Sequence, residues 1–159
     1  MGKAEENKQH KRLSLLNTAF ELFTTKGVNK TSISEISEQA GIAKGTFYLY
    51  FKDKYDIRNK LISHQSGLVL SKALDDLKES RIEEQYSGLE GFKKTFLFIA
   101  DNVINQFTEN KALLTFISKN LSWAIFKKAL TTNSSDDSID FRQAYYSLIE
   151  RSGLKVKEP

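Results

Sequence analysis

Lys44, Thr46, Tyr48 and Tyr50 fall within seven residues, KGTFYLY, around a glycine at position 45. An ammonium, a hydroxyl and two phenols at this density are donors suited to phosphate oxygens and the edges of bases. Lys44 can reach the N7 or O6 acceptor of guanine, or a phosphate. Thr46 and Tyr50 can donate to phosphate oxygens, and Tyr48 can meet a thymine methyl or a phosphate. Gly45 lets a ligand approach the backbone closely; otherwise it is a helix glycine tolerated at a cost of about 1 kcal/mol. Lys54 stands where a backbone phosphate would dock. The chemistry on offer is noncovalent recognition of a polyanion.

Catalysis finds no comparable set of residues. Cysteine is absent, which removes thiolate metal sites, disulfides and a thiol nucleophile. His10 and His64 are the only histidines, and neither has metal-ligand or triad spacing. His64 is expected as a solvated or partly packed helix residue. The pairs Asp75-Asp76, Glu83-Glu84 and Asp136-Asp137 are sequence neighbours, which on a helix diverge by about 100° and so read as solvated faces. There is no Gly-rich phosphate loop. No enzymatic activity, cofactor or metal is expected.

The elements that must position the donors are helical. The single proline is Pro159, and apolar residues recur at three- and four-residue spacings. The spacing predicts a first helix from about Lys8 to Lys26, with Leu13, Leu16, Phe20 and Phe23 as its apolar stripe, widened by Leu15, Ala19 and Leu22, and Gly27 as its stop. Ser32 with Glu35 three residues on forms a capping box for a second helix. That helix buries Ile33, Ile36 and Ala40 and breaks at Gly41. A third, from about Ala43 to Phe51, is pinned by Phe47 and Phe51 at i, i+4. Tyr48 and Tyr50 cannot both face inward beside those two rings; the bland alternative makes them half-buried core.

Asp53 and Asp56 start a long fourth helix reaching Ser80, with Ile57, Leu61, Leu68, Leu70, Leu74 and Leu77 inward. A polar break at 79–88 precedes an aromatic-rich helix over about 89–107. Another follows over about 111–131, bent near Asn120–Trp123. A polar loop at 131–138 and a last helix over 139–152 complete an all-α chain. The basic excess supports the donors: residues 1–60 hold 11 Lys and Arg against 7 Asp and Glu, whereas 61–159 hold 13 of each. Charge of this size alone does not establish a nucleic-acid partner.

The stretch LLNTAFELFTTKGVNKTSISEISEQAGIAKGTFYLYFKDKYDI, Leu15 to Ile57, resembles the tetracycline-repressor (TetR) family of bacterial transcription regulators. The glycine turn, the KGTFY run, the aromatic-x-Phe ending and the lysine beyond it occur in the family's order. The resemblance implies phosphate contacts from Ser32 and Thr46, Tyr48 and Tyr50 at backbone or groove, and Lys54 at the backbone. It places Lys44 and Ser34 at positions that often face bases. A longer polar or basic side chain is common where this chain has Ser34, and a polar or aromatic one where it has Leu49.

By that resemblance, residues 8–54 form a helix-turn-helix head. Residues 55–159 form a helical ligand-binding and dimerisation domain lacking the usual last two helices, as a natural short form or, the preferred reading, a fragment; the boundary inside the fourth helix implies a rigid joint. The aromatics Phe92, Phe96, Phe98, Phe107, Phe116, Trp123, Phe126, Phe141 and Tyr145 suit an apolar pocket and suit plain core packing equally. The expected function is a ligand-responsive repressor that binds a palindromic operator in double-stranded DNA as a homodimer, with an unidentified small-molecule effector. The alternative is a protein-interaction module of the same fold. With no apolar run near the ~18 residues of a membrane span and no signal-peptide core after the charged N-terminus, the expected location is cytoplasmic.

Overall fold

The computed structural model describes residues 2–121 and residue 150. The described residues form seven helices and no strand, in agreement with the all-α expectation. The chain divides into two compact units, Met1–Ile62 and Ser63–Pro159.

In the first unit, α1 (Lys3–Thr25) begins earlier than its apolar stripe. Residues 3–11 lack an apolar face but are nearly all competent helix formers, and Glu5 and Glu6 sit favourably at the N-terminal end of the dipole. The buried stripe is Leu15, Leu16, Ala19 and Phe23, with Arg12 one turn earlier. Leu13 and Phe20, expected at its centre, are only half-buried. Gly27 adopts a φ of 89° and ends the helix as expected.

Ser32 caps α2 (Ile33–Gln39) through the full capping box. Ile36 is completely buried, Ile33 and Ala40 half-buried, and Ser37 joins the buried face. Gly41 takes a φ of 67°, a left-handed conformation that a side chain resists, and so forces the turn into α3 (Lys44–Tyr50). Phe47 and Phe51 are fully buried with ring centroids 5.5 Å apart. Ile57, Leu61 and Ile62, from the start of α4 (Lys54–Ser80), complete this core. Asp53 Oδ1 accepts from the backbone N–H groups of Tyr55 and Asp56, the expected cap. Asp56 instead accepts from the Lys52 N–H.

In the second unit the rest of α4 packs with α6 (Gly88–Glu109) around Ala73, Leu74, Leu77 and Ile99. Val69 and Ala73 take inward positions, whereas Leu68, expected inside, is exposed. The 79–88 break contains a short α5 (Ile82–Gln85), entered through Arg81 at a φ of 55°. Gly91 is required here, because a Cβ at that position would lie 2.8 Å from the Tyr86 carbonyl oxygen. α7 (Lys111–Asn120) buries Leu113, Phe116 and Ile117 and ends at Asn120, where a bend or break was expected. The expected loop at 131–138 and helix at 139–152 lie outside the described residues, save Glu150.

Two residues differ from the solvated roles read for them. His64 is buried, 6% exposed, because it lies on the inward side of α4. Asp76 is no free surface charge: its Oδ2 accepts from Lys72 Nζ and Asn102 Nδ2, both at 2.7 Å. The Lys72 bond, then the Asn102 bond, holds its carboxyl below the usual range. Gln106 extends the seam, donating to Asn102 Oδ1 at 2.8 Å and to the Val69 carbonyl at 2.9 Å.

Candidate nucleic-acid interface

The seven residues of α3 divide by helical position. Phe47 points into the core and Phe51 follows it just past the helix end. Thr46 and Tyr50, at i, i+4, occupy the flank and are half-buried. Lys44 and Tyr48 form one outward pair, Gly45 and Leu49 the next. Tyr48 is 52% exposed and Leu49 80%. The Tyr48 ring meets Phe47 edge to face at 5.5 Å, which steadies it while its hydroxyl end stays in solvent.

A Cβ built on Gly45 would meet no protein atom within 4 Å. Nothing inside the chain demands glycine there, and the space above the backbone is open to another molecule. Leu49 lies one turn beyond it on the same side, an apolar counterpart for a thymine methyl. The sequence reading gave it no contact because it looked for hydrogen-bond donors; its i+4 relation to Gly45 was the available signal.

The start of α2 is tied down independently. Ser32 Oγ accepts from the Glu35 N–H at 3.1 Å, and the Ser32 N–H donates to Glu35 Oε2 at 2.8 Å. The Ser32 hydroxyl also bonds the Glu35 carboxylate, so side chain and backbone of Ser32 both hold that group. Glu35 also accepts from Lys26 Nζ. That bond first, and those from Ser32 next, lower its carboxyl to about 2. Ser34 is exposed on the first turn of α2.

Lys54 is placed differently from the others. Its ammonium donates to the carbonyls of Val28, Asn29 and Thr31 at 3.0, 3.2 and 3.2 Å. Its charge remains, but its three protons are directed at protein oxygens. The described aromatics of the second unit differ in burial. Phe116 is buried, Phe92, Phe98 and Phe107 are half-buried, and Phe96 is 60% exposed. Trp123, Phe126, Phe141 and Tyr145 lie outside the described residues. Among the described residues no cluster of His, Asp and Glu could hold a metal ion, and no helix is long and apolar enough to cross a membrane.

A capped brace helix, a glycine turn and a short second helix with donors and open backbone outward define a helix-turn-helix head. Residues 15–61 match the family described as "Bacterial regulatory proteins, tetR family". It is 31% identical over 97 residues to the fatty acid metabolism regulator protein of Bacillus subtilis, a match covering 61% of this chain and 50% of that one. It is 44% identical over 64 residues to the HTH-type transcriptional regulator YvdT of the same organism, covering 40% of this chain and 31% of the relative. The chain thus matches half or less of the length of these relatives. The fold also aligns with a TetR family transcription regulator of Marinobacter aquaeolei, at a TM-score of 0.61 and 17% identity, over 93% of this chain and 69% of that one.

Proposed function

We propose that this chain is a sequence-specific DNA-binding transcription regulator whose α3 enters the major groove. The outward face of α3 carries this reading: Lys44, Gly45, Tyr48 and Leu49 stand exposed over a helix pinned from behind by Phe47. Lys44 reads a guanine edge or holds a phosphate, Gly45 admits the close approach, and Leu49 and the Tyr48 ring meet thymine methyls. Thr46 and Tyr50 on the flank, and Ser32 and Ser34 at the start of α2, donate to backbone phosphates or adjacent bases.

A single head covers half a site. We further propose a homodimer that sets two α3 helices about 34 Å apart on a palindromic operator. Residues beyond the head form the helical regulatory domain. There a small-molecule effector shifts the balance between DNA-competent and incompetent states by its different affinity for the two, and the unliganded dimer represses. The protein acts in the cytoplasm, by binding and not by catalysis.

The test is selection of duplexes from a random-sequence pool with the 159-residue chain, then comparison with the double variant Lys44→Ala, Tyr48→Ala. The wild type should enrich a palindromic sequence, and the double variant should lose that preference while keeping its helix content. Equal enrichment by the double variant would take Lys44 and Tyr48 out of the reading face. Enrichment of no sequence by the wild type would instead favour a protein-interaction module of the same fold without specific DNA binding.

A further inference from the structure

We infer that the first two turns of α4 form a two-lysine clamp on the helix-turn-helix, Lys54 holding the loop before α2 and Lys60 the end of α3. The two lysines are thereby positioning residues for DNA recognition, not phosphate ligands. The inference rests on the DNA-binding reading of α3 and deepens it.

Lys54 carries three N–H donors, and the three carbonyls of Val28, Asn29 and Thr31 converge on them within 3.2 Å. These oxygens belong to the segment between α1 and α2, where no helix supplies partners. Only the Val28 carbonyl receives a backbone bond as well, from the Thr31 N–H at 3.3 Å. The loop is tied from its other side by Thr31, 2% exposed, whose hydroxyl donates to the Gly27 carbonyl at 2.8 Å. The position of Ser32, and so the start of α2, follows from that loop.

Lys60 acts at the opposite end. Its Nζ donates to the Tyr50 carbonyl at 3.3 Å, lies 3.6 Å from Asp56 Oδ2 and sits 5.3 Å from the centre of the Phe51 ring. Tyr50 is the last residue of α3, whose terminal carbonyls have no partner within the helix. A cation there also complements the negative end of the helix dipole. From the other side Arg12 stands 5.8 Å from the same ring. Two points of attachment on consecutive turns of α4 thus fix where α2 begins and where α3 ends. Base readout needs such fixing, since recognition groups tolerate displacements of only about 0.5 Å.

A clamp and a phosphate ligand leave different signatures. Removing a phosphate ligand weakens all duplexes alike and lowers the salt slope by about 0.9 per contact. Loosening a clamp leaves the slope and erodes discrimination. The decisive comparison uses Lys54→Arg, which keeps the charge but replaces three converging donors with a planar fork. Lys54→Met and Lys60→Met remove the charge and keep most of the stem.

Each variant of the 159-residue chain is titrated by fluorescence anisotropy at several salt concentrations. The probes are a duplex selected by the wild type from a random pool and its scrambled counterpart, with circular dichroism to confirm helix content. Preference for the selected duplex should fall about tenfold, equivalent to one charge-assisted hydrogen bond. It should fall in both Lys54 variants, and in the same direction in Lys60→Met, with the slope unchanged. Retained preference in Lys54→Arg overturns the clamp whatever the methionine variants do. A wild type that binds neither duplex in a salt-dependent way overturns the DNA-binding reading itself, a result distinct from failure of the variants alone.

Discussion

At the scale of single residues, Gly45 separates stability from function most cleanly. Its surroundings are open within the chain, so Gly45→Ala should stabilise the head by about 1 kcal/mol through helix propensity. The added methyl projects toward the proposed groove, so the same change should weaken operator binding about tenfold, or 1.4 kcal/mol. Thermal melts and anisotropy titrations of one variant read both signs; a change that improves melting and leaves binding intact would remove Gly45 from the interface. Lys44→Ala should cost about 1–3 kcal/mol of discrimination at one base pair if the ammonium reads a base, as bidentate contacts do. Most of this candidate site was legible, because two inward phenylalanines, Phe47 within α3 and Phe51 just past it, leave few directions for the residues around them. Leu49 was not, since its contribution is apolar. The commitment of Lys54 was not either, because convergence of three carbonyls 23–26 residues away has no mark in local sequence.

At the scale of elements, the capping box makes the start of α2 pH-dependent. Glu35 is lowered from an ordinary 4.5 to about 2, first by Lys26 and then by Ser32. A depressed carboxyl contributes stability that is full above its unfolded value and lost as pH falls through its folded one. The melting temperature of the wild type should therefore drop between about pH 5 and about pH 2 more steeply than that of Glu35→Gln. Parallel curves would show that the carboxylate carries no such linkage. Phe47, wholly buried behind α3, should cost about 3–5 kcal/mol as Phe47→Ala, with loss of DNA binding following loss of fold. The box, both glycine turns and the reach of α4 to Ser80 were readable because caps and breakers act locally. The inward role of Val69 and Ala73 in place of Leu68, and the short α5, depend on which neighbour packs against a helix that is apolar on several sides. Periodicity does not specify that neighbour.

At the scale of the whole molecule, the sequence placed the basic excess and the recognition residues together, and the structure sets that segment in a compact unit of its own. The second unit holds an apolar cluster around Leu74, Leu77 and Ile99 with a polar seam through Asp76, Asn102 and Gln106. Its sequence signals were amphipathicity and aromatic content, which describe a core and a pocket alike. Regulation by this chain requires two heads engaging the phosphate backbone of duplex DNA. The most direct measurement is the affinity of the chain for its selected duplex across a salt series. With about four phosphate contacts per head, a dimer should give a log–log slope near about −7. A flat response would contradict the assignment of the α3 face to DNA.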